Sequence, residues 1–245
     1  TIYSTTTSDV TCVFSSAGAL VMDGINITKS GDTSNSDQSS FDGLNAAILS
    51  TSGSTINISN CIIFTNGTGS NGIFSTGSGT VINSKNVIVR CRADGAHGID
   101  ATRGGMIRAI NLDVVTYGAH SGAISTDTGG GTVTVIGGIY RTHGAGSPGI
   151  MSTGAISVTG SVIVSSTTEA GAIDGSNSIT LVDASLTGGD YGFKLYNSVG
   201  SGLSSPGTVT ISGGSLSVTG SGAVFFVDGG NSNEGEFLVD GTTVK

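Results

Sequence analysis

The chain contains three aspartates and one lysine whose types and spacing could support acid–base catalysis: Asp100, Asp127, Asp174 and Lys194. Two carboxyl groups about 6.5–9.5 Å apart can hydrolyse a glycosidic bond with inversion, one donating a proton and the other activating water. A lysine beside carboxylates can neutralise an acidic sugar, or act as a base where its surroundings lower its pKa. These four residues are the candidate catalytic groups, and solvated surface charge is the simpler alternative.

Side chains that could contact a ligand occur near these candidates in the sequence. They carry aromatic, basic or imidazole groups, and the candidate substrate-binding residues are Phe74, His97, Arg103, His120 and Tyr196. Aromatic rings offer a flat apolar surface, and the basic and imidazole groups donate hydrogen bonds. Together with carboxylates, such groups are typical of an elongated sugar-binding groove.

The three histidines, His97, His120 and His143, follow one another at intervals of 23 residues. This spacing suggests stacked metal ligands, but each histidine lies at a different offset from the nearest apolar core position. Zinc ligands must converge within about 2 Å of one point. We therefore expect no metal site and no cofactor, with Ca²⁺ as the one ion left open.

A repeated apolar pattern predicts the elements that would position these residues. Apolar residues at i, i+2 and i+7 recur, as in Ile56/Ile58/Ile63, Val133/Val135/Tyr140 and Ile156/Val158/Ile163. Ten residues after the third member an isoleucine follows a small residue, at Ile73, Ile99, Ile124, Ile150 and Ile173. Period-two alternation indicates strands, and units that cannot bury their apolar faces alone must stack. The sequence therefore predicts an all-β, right-handed parallel β-helix of about nine coils with three short strands each.

One domain is expected, because the repeat runs through nearly all of residues 1–245. An irregular cap is expected over about 1–18. Insertions interrupt the repeat at about 30–41, 197–208 and 228–236. Long loops on a rigid scaffold often carry function, so these insertions are candidate additions to the rod.

Equivalent outward residues of successive coils line up about 4.8 Å apart, so the repeat arranges the candidates in columns. With the isoleucines inward, the first outward column of the third strand reads Leu49, Phe74, Asp100, Ser125, Met151, Asp174, Lys194 and Phe225. The second column reads Thr51, Thr76, Thr102, Asp127, Thr153, Ser176, Tyr196 and Val227. Asp100 and Asp127 would then lie about 8 Å apart, and Lys194 could form a simple ion pair with Asp174.

The net charge of −8 argues against a nucleic-acid partner, which needs clustered basic residues. A stretch of 24 residues does hold five of the nine basic residues: Lys85, Arg90, Arg92, Arg103 and Arg108. They could form a local patch for an acidic sugar, or lie scattered over the surface. No run reaches the roughly 18–20 apolar residues of a membrane span. Low charge and a Ser/Thr-rich composition favour an extracellular location, and the start at Thr1 suggests a mature or trimmed form.

The cysteines and one apolar set complete the surface predictions. Cys61 and Cys91 are offset by about four residues along their strands, which is too far for the Cα separation of about 7 Å that a disulfide allows. An apolar outward set consists of Ile62, Ile88, Ile139 and Val162. It could be covered by a flanking module or mediate self-association, unless the strand phase is shifted at this corner.

The laid-out coils resemble the pectin-lyase-like superfamily of right-handed β-helices. The segments DGAHGIDATRGG, SGAISTDTGGGTVTV and SPGIMSTGAISVTG are similar to secreted, adhesin-like β-helix repeat proteins, over roughly residues 42–227. Characterised members of the wider superfamily cleave polyuronates by β-elimination or hydrolysis. Polygalacturonases carry G-H-G and R-x-K motifs, whereas this chain has Ala96-His97-Gly98 and no R-x-K pair. Calcium-dependent pectate lyases use several aspartates with a basic residue, which Arg103 or Lys194 could supply here.

Three functions are compatible with these observations. The first is a secreted, adhesin-like protein that binds a polysaccharide along an exposed face. The second is a polysaccharide lyase or glycoside hydrolase acting on an acidic polysaccharide. The third is ice binding through the column of Thr51, Thr76, Thr102 and Thr153. An enzyme requires at least two ionisable groups that converge on a cleft with perturbed pKa values, and a flat face with exposed carboxylates would exclude it.

Overall fold

The computed structural model describes residues 1–198, 206–228 and 235–245. Within these ranges it contains 26 strands and one short helix. The strands in chain order are β1 (Ile2–Thr5), β2 (Val13–Ser16), β3 (Ala19–Asp23), β4 (Asn26–Lys29), β5 (Ile48–Thr51), β6 (Thr55–Ser59), β7 (Ile62–Thr65), β8 (Ile73–Thr76), β9 (Val81–Lys85), β10 (Ile88–Cys91), β11 (Ile99–Thr102), β12 (Met106–Thr116), β13 (Ile124–Thr126), β14 (Thr132–Thr142), β15 (Ile150–Ser152), β16 (Ala155–Thr159), β17 (Val162–Ser165), β18 (Gly171–Asp174), β19 (Ser178–Val182), β20 (Ser185–Gly188), β21 (Phe193–Tyr196), β22 (Gly207–Ser212), β23 (Ser215–Val218), β24 (Phe225–Val227), β25 (Gly235–Asp240) and β26 (Thr243–Val244). The helix is α1 (Ser36–Asp42).

Each turn of the chain contributes a strand to each of three parallel stacks, and the predicted all-β solenoid of about nine turns is confirmed. Stack 1 consists of β3, β6, β9, the first halves of β12 and β14, β16, β19, β22 and β25. Stack 2 consists of β1, β4, β7, β10, the second halves of β12 and β14, β17, β20, β23 and β26. Stack 3 consists of β2, β5, β8, β11, β13, β15, β18, β21 and β24.

The core lies inside the three stacks, where the predicted inward residues form continuous apolar columns. In stack 1, Ile82, Ile107 and Val133 lie side by side in register and are completely buried. Each turn alone would leave these side chains in water, and stacking buries them at about 25 cal/mol per Å² of apolar surface. The hydrophobic period therefore determines both the strands and their register.

The corner between stacks 1 and 2 has the same backbone conformation in every turn. At one aligned position every turn has a residue with a positive φ: Gly24, Asn60, Asn86, Asn111, Gly137, Gly160, Asp183, Gly213 and Gly241. In two turns the following glycine, Gly138 or Gly214, also has a positive φ. Glycine, asparagine and aspartate tolerate this left-handed conformation best. The asparagine amides also bond to one another, because Asn111 donates to Asn86 at 3.0 Å and Asn86 donates to Asn60 at 3.3 Å.

Glycines between stacks 2 and 3 allow the turns to approach closely. A Cβ atom on Gly144 would lie 1.7 Å from the carbonyl oxygen of Gly118 in the preceding turn.

We expect Gly144→Ala to lower the free energy of unfolding by about 3 kcal/mol, because the obstacle is backbone that cannot rotate away. Gly160→Ala is the matched control, since its Cβ would meet nothing within 4 Å and only a left-handed φ of +61° opposes it. It should cost about 1 kcal/mol. Urea denaturation measures both, and equal losses would contradict the expectation.

The first 18 residues are more regular than expected, because strands β1 and β2 occur in this segment and pair with β4 and β5. Lys29 lies beneath this segment and is completely buried. Its ammonium group donates to the carbonyl oxygens of Thr7, at 3.1 Å, and Gly31, at 2.9 Å. The hydrogen bonds compensate for burial of the charge. Strands β1 and β2 of the segment 1–18 therefore extend stacks 2 and 3.

The predicted alignment of stack 3 fails after β15, because the loop before β18 is two residues shorter than the loop before β15. Ile150 pairs with Gly171, so Ile173 lies beside Ser152. Gly171 leaves room for the Phe193 ring, which a Cβ atom would meet at 2.3 Å.

Two residues predicted for the first outward column lie elsewhere. Asp174 belongs to the second column, beside Tyr196. Phe225 pairs with the inward residue Phe193, so Phe226 occupies the column beside Lys194. The offset of ten residues was therefore wrong for Ile173 and Asp174, and the predicted phase of β24 was wrong by one residue.

The insertion at 30–41 contains α1, which lies against the outer face of stack 3. The Asn35 side chain caps its first turn by accepting from the amide of Gln38 at 3.0 Å, and Gly43 ends it with a φ of +74°. We call residues 36–43 the α1 cover. The expectation that Phe74 faces a ligand is wrong, because Phe74 is completely buried in a small second core with Ala46 and Leu49.

The other two insertions lie largely outside the described residues, which omit 199–205 and 229–234. Among the described residues, no helix is long and apolar enough to cross a membrane. Cys12, Cys61 and Cys91 are not in disulfides. The apolar set is outward as expected: Ile62 and Val162 are 45% and 41% exposed. Asp113 interrupts this column, between Ile88 and Ile139.

Candidate functional site

A cleft runs along the outer face of stack 3, bounded on one side by the α1 cover. It consists of two neighbouring cavities of about 510 and 580 Å³, both lined by Asp127. The first cavity is lined by residues that include Ser36, Ser40, Asp94, His97, His120, Met151, Glu169 and Tyr196. The second is lined by residues that include Phe41, Thr153, Asp174, Asn177 and Ser198. Five of the nine candidate side chains therefore line a cleft: Asp127, Asp174, His97, His120 and Tyr196.

Asp127 lies at the junction of the two cavities, directly after β13. Its amide donates to the carbonyl oxygen of Ala101 at 3.3 Å, and its carboxylate accepts from the Thr128 amide at 2.7 Å. Burial raises the pKa of Asp127 above 3.8, the Thr128 hydrogen bonds oppose this change, and the negative charge of Asp174 adds to it. A carboxyl group that stays protonated to higher pH is suited to act as a general acid.

Asp174 lies in the same column as Asp127, two turns further along the rod. The register of β13, β15 and β18 places Thr153 between them. Two strand spacings separate their Cα atoms by about 10 Å. The Asp174 carboxylate accepts hydrogen bonds from the amide of Ser198, at 2.8 Å, and from its hydroxyl. These bonds orient Asp174 on the floor of the second cavity.

Tyr196 links the two cavities, because it pairs with Asp174 across the sheet and its hydroxyl lies 3.7 Å from the Met151 sulfur. Burial raises the pKa of Tyr196 to about 12, and the charges of Asp174, Glu169 and Asp127 contribute in that order. Three carboxylates therefore surround one phenol. Sequence reasoning missed Glu169, because it lies in the shortened loop before β18 where the predicted register fails.

His97 lies in the first cavity with a defined tautomer. Its Nδ1 accepts from the Gly122 amide at 3.0 Å, so the proton of the neutral ring is on Nε2. The Ser125 hydroxyl lies 3.2 Å from the same Nδ1 and must donate to it. Burial lowers the pKa of His97 to about 4. His97 is therefore a neutral hydrogen-bond donor at most pH values.

We expect the His97 ring to titrate near pH 4, with the proton of the neutral form on Nε2. Since the folded pKa lies below the ordinary 6.5, the folded state binds fewer protons than the unfolded state between these values. Stability should therefore rise with pH through this window. The nitrogen chemical shifts of the ring report both pKa and tautomer. A midpoint near 6.5, or a proton on Nδ1, would contradict this assignment.

The other two histidines do not join His97 in a metal site. His120 lines the first cavity and is exposed, with a φ of +52°. His143 lies elsewhere, stacked on Tyr117 with a centroid separation of 5.3 Å. Within the described ranges, no three histidine, cysteine, aspartate or glutamate side chains are grouped as metal ligands.

Asp100 lies beneath the cleft and not in it, which corrects the predicted pairing of Asp100 with Asp127. The register is as predicted, because Asp100 pairs with Ser125. Ser125 lies on the same turn as Asp127, so Asp100 is one turn before Asp127. However, Asp100 is completely buried and has no surface for a ligand. The carboxyl pair available to a ligand is therefore Asp127 and Asp174.

Arg103 and Lys194 have different surroundings from those expected. Arg103 forms an ion pair with Asp42 at 2.8 Å and so holds the end of the α1 cover. Lys194 lies over the rings of Tyr196, at 5.8 Å, and Phe226, at 6.0 Å. Of the ion pairs found among the described residues, none joins Lys194 to Asp174.

Of the two alternatives for the basic residues, the scattered arrangement is the one that the structure has. Arg90 pairs with Asp113 at 2.6 Å on stack 2. Arg92 lies over the Phe64 ring at 5.2 Å. Lys85 and Arg108 line a separate cavity on stack 1. The local concentration of basic residues in the sequence is thus dispersed by the coil geometry.

The threonine column is not a flat exposed surface. Thr102 is completely buried, and its hydroxyl donates to the carbonyl oxygen of Phe41 at 2.8 Å. Thr76 is 7% exposed and lies 2.8 Å from the Thr102 hydroxyl. Two of the four threonines in this column are therefore buried, whereas Thr51 and Thr153 are partly exposed.

Comparison with known proteins gave no match: no protein-family model, no curated protein and no solved structure matches the chain.

Proposed function

We propose that this protein binds a neutral polysaccharide in the cleft and hydrolyses it with inversion of configuration. The observation that carries the proposal is the position of Asp127, a half-buried carboxyl group with a raised pKa at the junction of the two cavities. The proposal replaces the acidic substrate expected from the sequence by a neutral one.

In the proposed reaction Asp127 and Asp174 have different roles. Asp127 donates its proton to the glycosidic oxygen as the bond to the anomeric carbon breaks. Asp174, oriented by Ser198, accepts a proton from the water that attacks the opposite side of that carbon. The separation of about 10 Å between their Cα atoms is suited to carboxyl groups that hold a water molecule between them, as in inverting enzymes.

The charge of the cleft favours a neutral substrate. Asp94, Asp127, Asp174 and Glu169 line its two cavities, whereas no lysine or arginine is among the described lining residues. A polyuronate would bring further negative charge close to these carboxylates, which costs energy in a partly buried site. Hydroxyl groups of a neutral sugar can instead donate to the carboxylates and accept from His97.

Length and exposure of the cleft agree with a polymeric ligand. The cleft follows the rod axis across several turns, so successive sugars would contact successive coils. The resemblance to secreted β-helix proteins of the pectin-lyase-like type is consistent with an extracellular polysaccharide ligand. Binding without cleavage, as in an adhesin-like protein, uses the same cleft and differs only in the absence of products.

A polysaccharide panel tests the proposal, with neutral glucans, galactans and xylans beside polygalacturonate. For each polysaccharide we measure whether the protein binds to it and whether products form. We expect retention on a neutral member, with new reducing ends and no unsaturated product. Unsaturated products would establish a lyase, and retention without any product would establish binding alone.

A further inference from the structure

The Asp100 side chain is enclosed between the rod and another part of the chain. Its strand neighbours Ile99 and Ala101 belong to the main core, so Asp100 points to the outer face of stack 3. It is nevertheless completely buried. Neither carboxyl oxygen has a hydrogen-bond partner within the described part of the chain.

The α1 cover contacts the outer face of stack 3 next to Asp100. Its residue Phe41 accepts a hydrogen bond from Thr102, two residues further along the same strand, at 2.8 Å. Its residue Gly43 lies against Phe74, one turn away in the same column, where a Cβ atom would come within 2.5 Å of the ring. The cover therefore contacts two neighbours of Asp100, one further along its strand and one in the preceding turn. Ser36, Ser40 and Phe41 of the cover also line the cleft.

We propose that protonation of Asp100 controls the docking of the α1 cover and thereby the wall of the cleft. A neutral carboxyl group can remain in this enclosed position at moderate cost. A carboxylate without hydrogen bonds cannot, because burying an unpaired charge is far more costly than burying a neutral polar group. Ionisation is relieved if the cover lifts and water reaches Asp100.

The other titratable groups near Asp100 are Asp127, His97 and the Asp42–Arg103 ion pair. Burial raises the pKa of Asp100 well above 3.8, and the negative charge of Asp127 adds to this rise while the Ala101 amide opposes it. His97 precedes Asp100 on the same turn, and its lowered pKa confines its titration to the acid side. The Asp42–Arg103 ion pair on the cover is exposed, so it contributes little and is screened by salt.

The direction of the pH effect follows from the raised pKa. Between 3.8 and its folded pKa, Asp100 is protonated in the closed state and ionised in the open state. The closed state therefore binds more protons, so its stability falls as pH rises through this window. Each pH unit changes the open-to-closed ratio by up to about tenfold.

Hydrogen exchange of the amides of residues 39–46, measured against pH on the full chain, tests the proposal. After correction for intrinsic rates, we expect protection in the wild-type protein to fall by up to about tenfold per pH unit above the ordinary carboxyl pKa. In Asp100→Asn, which has nearly the same shape and no charge, protection should not change with pH. Asp100→Ser provides a second neutral variant, since serine occupies the next position of this column at Ser125.

Asp42→Asn is the matched control, because it removes the ion pair with Arg103 and keeps the buried carboxyl group. Because this ion pair is exposed, its loss should change protection little and equally at all pH values, and it should leave the pH slope intact. A wild-type protein without a slope, or a slope that persists in both Asp100 variants, would overturn the proposal. The readout needs no substrate, so it is independent of whether the protein hydrolyses a glycan.

Discussion

Asp127→Asn is expected to reduce glycan hydrolysis by about 10²- to 10⁴-fold, the usual contribution of a general acid. Asparagine keeps the shape and the hydrogen bond from Thr128 but cannot donate a proton to the leaving oxygen. Retention of the protein on the same glycan should persist, because the remaining lining residues are unchanged. Reducing-end assays under single-turnover conditions separate loss of chemistry from loss of binding.

The control for this variant is Asp183→Asn, which changes the same residue type at a corner remote from the cleft. Asp183 has a φ of +49°, a conformation that asparagine tolerates well. Its hydrolysis rate should equal that of the wild-type protein. Equal activity of Asp127→Asn and Asp183→Asn would remove Asp127 from the mechanism.

Phe74→Ala is expected to lower the free energy of unfolding by about 3–5 kcal/mol, because it empties a completely buried position beneath the α1 cover. The cover should also exchange its amides faster, since Gly43 would lose the ring against which it lies. Urea denaturation with hydrogen exchange measures both effects.

Phe14→Ala is the matched control, because Phe14 lies in the same outward column two turns before Phe74. Its side chain is 59% exposed, and the cover does not bury it. The expected cost is below about 0.5 kcal/mol, as for most surface substitutions. Similar losses for both variants would contradict burial of Phe74 by the cover.

The solenoid could be predicted from the sequence because one physical requirement repeats in every turn. Apolar residues at i, i+2 and i+7 must point inward together, and a register slip would expose them. The same rule placed Asp127 and Tyr196 in the second outward column. It failed at Asp174, because a loop shortened by two residues moved the strand relative to the repeat.

The enclosure of the outer face could not be predicted from the repeat. Residues 30–41 were identified as an insertion, but no periodic signal shows where an insertion lies on the rod. Phe74, Asp100 and Thr102 were therefore expected on an exposed face, and all three are buried or nearly so. The change of environment removed Asp100 from the candidate catalytic pair and made it a candidate control of the cover.

The pairing of Asp127 with Asp174 across a water molecule is tested most directly by the configuration of the first product. Proton NMR of the anomeric position, recorded before mutarotation, follows it on the neutral glycan that the panel identifies. We predict that the first product has the anomeric configuration opposite to that of the substrate. Asp127→Asn should form no such product. A first product with the same anomeric configuration as the substrate would contradict the proposed pair. Binding of the protein to the glycan with no new reducing end would contradict hydrolysis itself.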